Sequence, residues 1–112
     1  MFRIVALLAT DPAFPEGDVL RGIELTVPLL PQGRVDPSAA SGAGVRRFWP
    51  DREDWRGALE PVEGGWGLRN ERDPDDPVWV IELAVIRPGE YISLRRPNGE
   101  EAVFRIVSVE PA

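Results

Sequence analysis

The stretch "RPGEYISLRRPNGEEAVFRIVSVEP", Arg87 to Pro111, reads as two strands joined by a tight turn. Pro88-Gly89 starts it. Tyr91 to Arg96 alternates, with Ile92 and Leu94 inward. Pro97-Asn98-Gly99 is a strong hairpin signal, because Asn and Gly tolerate positive φ. Ala102 to Val109 returns with Phe104 and Ile106 facing inward. No other stretch is as sharply patterned, and a hairpin at one end sets the expectation for the remainder: antiparallel β structure.

Working back from it, "VWVIELAVI" (Val78–Ile86) is the best strand in the chain, with Trp79, Ile81, Leu83 and Val85 on one face. Val19, Arg21, Ile23, Leu25 and Val27 alternate with Leu20, Gly22, Glu24 and Thr26, a period-2 strand ended by Pro28 and Pro31. Its core face is Ile23, Leu25 and Val27. Phe2 to Ala9 is apolar on both faces, a short strand stopped by Pro12. The burial expected for the C-terminal strands falls on Trp79, Ile81, Leu83, Phe104 and Ile106.

Gln32 to Pro77 has a different texture. It is rich in Gly and Pro and reads as a long, partly ordered insertion. Within it, "VRRFWP" reads as a short strand, "DREDWRGAL" as one or two helical turns capped by Asp51, and "ERDPDDP" as a polar loop. Asp36 to Val45 is expected to be the loosest interior segment, having little to bury. Yet three of the four Trp lie in the insertion, and disordered segments rarely carry so many large aromatics. The fold expected is all-β or nearly so: a small antiparallel barrel or two-layer sandwich of five to seven strands, in one domain spanning 1–112, with 32–77 inserted.

Composition removes several chemistries. The 112 residues include no Cys and no His, and every one of the 13 basic residues is Arg. Disulfides, thiolate nucleophiles, imidazole bases, Schiff bases and a P-loop lysine are therefore absent. The carboxylates remain. Glu71, Asp73, Asp75 and Asp76 lack the Gly and spacing of an EF-hand loop. Asp51, Glu53, Asp54 and Glu60 would need a sugar cleft that a chain of this length builds with difficulty. A net charge of −6 argues against a broad basic field for nucleic acid. No run is long enough to span a membrane as a helix, and the N-terminus lacks the core and cleavage pattern of a signal peptide, so a cytoplasmic location is expected.

Two clusters remain as candidate sites. Arg46, Arg47, Phe48, Trp49, Trp55, Arg56 and Trp66 bring together the residue types enriched at protein-interface hot spots, and read either as a binding patch or as a small core under the insertion. Arg87, Arg95, Arg96 and Arg105 read as a contact for phosphate or an acidic partner, or as protection of an exposed strand edge.

Pro88-Gly89-Glu90-Tyr91, with Arg105 and Ser108 a hairpin later, resembles the "PGQY" strand and the R-x-Y-S run of ferredoxin-reductase-type flavoprotein barrels. The resemblance covers about a fifth of the chain. It implies a flavin contact at Arg105 and Ser108, but Val107 stands where that family has its ring-stacking tyrosine. The functional expectation is a non-enzymatic protein-binding module or a structural subunit of a larger assembly, phage- or virion-like in kind, with a protein partner or self-association and no cofactor, metal, nucleic acid or membrane. The alternatives are a small acidic inhibitor occupying a basic site on a target enzyme, and a flavin-binding barrel fragment.

Overall fold

A computed structural model describes residues 1–112. The chain is all-β, with eight strands: β1 (Phe2–Thr10), β2 (Asp18–Val27), β3 (Gly44–Trp49), β4 (Arg52–Val62), β5 (Gly65–Asn70), β6 (Trp79–Glu82), β7 (Tyr91–Arg95) and β8 (Glu101–Pro111). Each pairs antiparallel with the next, and β1 pairs with β8, so the sheet closes into an up-and-down barrel. The barrel rather than the sandwich is realised, with one strand more than the upper end of the expected range.

Residues 32–77, expected as an insertion, instead supply three strands of the wall, β3, β4 and β5. The segment read as helical, "DREDWRGAL", opens β4. Conversely, the run Val78–Ile86 forms only the four residues of β6. Leu83 to Ile86 leaves the wall, and the Ile86 N–H donates to Gly33 O at 2.8 Å. Trp79 and Leu83 are half-buried, while Ile81, Phe104 and Ile106 are buried as expected.

Cross-strand partners share a face, and the register therefore traces the inward set. Ile4, Ala6 and Leu8 of β1 meet Ile23 and Leu25 on one side and Ile106 and Phe104 on the other. Leu59 faces Leu68, Ile81 faces Leu94, and Ile92 faces Phe104. These residues fill the barrel, as side chains do in a barrel of this strand number. The outward positions include Glu24, Arg46, Arg56, Glu60, Arg69, Arg95 and Arg105, where a lipid-facing barrel would carry an apolar band. No helix is long and apolar enough to cross a membrane.

The two ends differ. At the lower end, Pro28 to Ala43 folds across the barrel. Leu29 bridges Val35, and Ala40 and Ala43 are buried. Gly42 N–H donates to Leu59 O, and Leu59 N–H donates to Ala43 O, both at 2.8 Å. The segment Asp36 to Val45 is thus pinned to β4 and contributes three buried side chains, Ala40, Ala43 and Val45, rather than hanging free. At the upper end only short turns and the exposed loop Glu71–Pro77 join the strands, and the barrel is open.

Candidate functional site at the barrel mouth

The open end holds a cavity of about 550 Å³ lined by Asp11, Ala13, Phe14, Arg21, Arg47, Trp49, Asp51, Arg52, Trp79 and Arg96. It is built by continuing the inward alternation of three strands past the aliphatic core. On β2 the inward series Val27, Leu25, Ile23 ends in Arg21; on β3, Val45 is followed by Arg47 and Trp49. On the β7 side, Ile92 and Leu94 are followed by Arg96. Guanidinium groups therefore stand on an apolar floor.

Aromatic rings frame them. Trp55 and Trp79 stack with centroids 6.2 Å apart and planes 21° from parallel. The Trp55 ring lies over Gly57, where a Cβ would collide with that ring and with Arg69 O. Glycine is needed there for close approach. The Arg47 guanidinium carbon sits 4.7 Å from the Trp79 ring centroid, 5.1 Å from Trp49 and 6.0 Å from Trp55. Arg21 lies over Phe14 at 4.0 Å, and Arg96 over Trp79 at 5.7 Å. Each such contact is worth roughly 0.5–2 kcal/mol, more as water is excluded.

The cations differ in how they are balanced. Arg21 is bonded to Asp18 and lies 3.8 Å from Asp51. Its Nε is buried and finds no acceptor. Arg96 bonds Glu100 at 2.9 Å and approaches Asp11 at 3.9 Å. Asp11 is itself buried because it organises the β1–β2 turn: its Oδ1 accepts from the Phe14 N–H at 2.6 Å. Arg47, in contrast, is in neither a salt bridge nor a side-chain hydrogen bond. Burial first, and then the charges of Arg96 and Arg52, push its pKa down to about 10. It stays protonated at neutral pH as an uncompensated cation.

An unusual bulge shapes the rim. Leu7 pairs with Gly22 but Leu8 pairs with Asp18, so Val19, Leu20 and Arg21 have no partners on β1. Bulges beside sites re-aim side chains. This one aims Arg21 inward and leaves Val19 and Leu20 74% and 61% exposed.

The seven residues grouped from the sequence do not form one surface. Arg47 and Trp49 line the mouth, and Trp55 stacks beneath it on Trp79. Arg46 and Phe48 face outward on β3 and Arg56 outward on β4. Arg46 bonds Asp54 at 2.8 Å and Glu24 at 3.3 Å, and these carboxylates, Asp54 first, hold its pKa above the ordinary value. Trp66 sits near the far end, lining a 300 Å³ hollow with Glu63, Leu83 and Arg95. Arg21, Arg96, Trp79, Phe14 and Asp11 were not in that group. For Arg21 and Arg96 the signal was an Arg falling in phase with an inward aliphatic series.

Of the C-terminal arginines, only Arg96 reaches the mouth; Arg87 bonds Glu90, and Arg95 and Arg105 are exposed. In a closed barrel there is no free edge for them to protect. Tyr91 and Arg105 pair on the outer wall, and none of the three cavities is lined by Tyr91, Arg105 or Ser108. No group of three or more His, Cys, Asp or Glu is placed to hold a metal ion. Comparison with protein-family models, curated proteins and solved structures finds no match.

Proposed function

We propose that the chain is a non-enzymatic binding module, a subunit of a larger assembly, that engages a protein partner through the open end of the barrel. The observation that carries this reading is Arg47: a half-buried cation among three Trp rings with no counter-charge. Trp and Arg dominate interface hot spots, where desolvated anchors are ringed by contacts that exclude water. Val19 and Leu20, exposed on the β2 bulge at the same end of the barrel, add apolar contact area. Arg47 and Arg52, the two guanidinium groups of the mouth that no carboxylate of the chain pairs, favour a partner that presents negative groups there.

A photocrosslinking residue placed at Val19, at the mouth, and separately at Glu63, at the far end, tests the reading in the cells the chain comes from. A discrete protein adduct from Val19 that is lost on Arg47→Gln supports it. Adducts of the same kind from both positions, or none from Val19, contradict it. The acidic-inhibitor reading draws on the fully exposed Glu71–Pro77 loop, which carries four carboxylates: Glu71, Asp73, Asp75 and Asp76. It would be favoured by adducts from that loop instead.

A further inference from the structure

We propose that the barrel mouth is an oxyanion site centred on Arg47, which takes a carboxylate or phosphate group presented end-on. The inference deepens the reading above by naming what the partner inserts, and rests on it for the partner being a protein.

The cavity wall holds four guanidinium groups, Arg21, Arg47, Arg52 and Arg96, and two carboxylates, Asp11 and Asp51, while Asp18 and Glu100 pair with Arg21 and Arg96 from beside it. Those carboxylates lie nearest to Arg96 and Arg21. Arg47 and Arg52 are left without a carboxylate within salt-bridge distance. The Arg21 Nε is buried without an acceptor and out of reach of an entering group, so the free donors at the mouth are those of Arg47 and Arg52. A group with several oxygens suits these two unpaired guanidinium groups.

The geometry favours such a group over a diffuse ion atmosphere. Three Trp rings near Arg47 limit the motion of its planar N–H fork. That fork matches the oxygens of a carboxylate or phosphate in a bidentate contact. Water is partly excluded, which strengthens each charge-assisted bond. The same burial disfavours the lone cation, so binding an anion relieves a cost already present in the free protein. A nucleic-acid strand fits less well: stacked bases need open ring faces, whereas here Arg47, Arg96 and Trp55 lie against Trp79.

The test is an NMR titration of the Trp indole and Arg side-chain N–H signals with inorganic phosphate, with acetate and with a short oligothymidylate, against sodium chloride at matched ionic strength. Saturable shifts at Trp49, Trp79 and Arg47 with phosphate or acetate are expected, and the tighter of the two identifies the group. Arg47→Gln should weaken binding at least tenfold. Arg52→Gln, at the exposed rim, should weaken it severalfold and provides a second variant if the first fails to fold. Arg95→Gln, on the outer wall, should leave binding unchanged. Chloride shifts equal to those of phosphate and acetate, no saturable binding of either, affinity unchanged in Arg47→Gln, or an oligothymidylate preferred beyond its charge would each overturn the proposal. Because no partner is used, failure here is distinguishable from failure of the crosslinking experiment.

Discussion

At the scale of single residues, Arg47 separates binding from stability. Its pKa, about 10, lies below the ordinary value of an arginine, so the folded protein disfavours the charged form. That cost is fully present at neutral pH and is relieved only as pH rises through about 10 and beyond. The Trp contacts offset part of it. Replacing a buried charge with an apolar side chain of similar volume is often neutral or stabilising. Arg47→Met is therefore expected to change unfolding free energy by less than about 1 kcal/mol, or to raise it, in denaturant titrations. A loss of 3 kcal/mol or more would make Arg47 a structural residue. Gly57 is the opposite case. Gly57→Ala would drive a Cβ into the Trp55 ring and should cost about 1–3 kcal/mol, as overpacking does. The exciton couplet expected in far-ultraviolet circular dichroism from the Trp55–Trp79 stack should vanish with it. The sequence hid this residue's role. Inward positions on β4 run Trp55, Gly57, Leu59. With no side chain at the middle one, the apolar pair stands four residues apart and imitates a helix.

At the scale of elements, legibility followed side-chain contrast. In β2, Ile23, Leu25 and Val27 alternate with Gly22, Glu24 and Thr26, and all three are buried as the pattern implies. The C-terminal hairpin was equally plain. Gly99 adopts φ 89° and its N–H donates to Arg96 O at 2.9 Å, the three-residue loop that Pro97-Asn98-Gly99 encodes. In β5, "GWGLRN", two glycines flank Trp66 and leave only Trp66 and Leu68 to mark the inward face, too little to distinguish strand from loop. Val78–Ile86 failed the other way: its apolar character continues after the wall ends, because Leu83 packs on the core and Ile86 is buried below the barrel. Phe104→Ala, at a fully buried position, should cost about 3–5 kcal/mol. Leu83→Ala should cost clearly less, since that residue is half-buried and outside the sheet. Equal losses would place Leu83 in the core after all. Glu71 to Pro77 is exposed throughout, whereas Arg46 is paired on both sides within the sheet. Limited trypsin digestion should therefore cut first after Arg72, and a first cut after Arg46 would mean that β3 is not held in the wall.

At the scale of the whole molecule, closure joins the parts read separately from the sequence. The pairing of β1 with β8 unites the two ends of the chain, and β3 to β5 complete the ring between them. No sequence pattern states that closure, which arises from partners about a hundred residues apart such as Arg3 and Glu110. A ring without an autonomous insertion should unfold as one unit. Trp fluorescence, weighted to the mouth, and far-ultraviolet circular dichroism should give coincident denaturation curves. Two separated transitions would restore 32–77 as an independent segment. Closure also distinguishes the ends, one sealed by Pro28 to Ala43 and one open, where the proposed recognition lies. Anomalous diffraction from crystals equilibrated with selenate tests that placement most directly. A selenium peak is expected in the mouth, within hydrogen-bonding reach of the Arg47 guanidinium and beside Trp49 and Trp79. Selenate bound only elsewhere on the barrel, with Arg47 engaged by a carboxylate of its own chain, would contradict it.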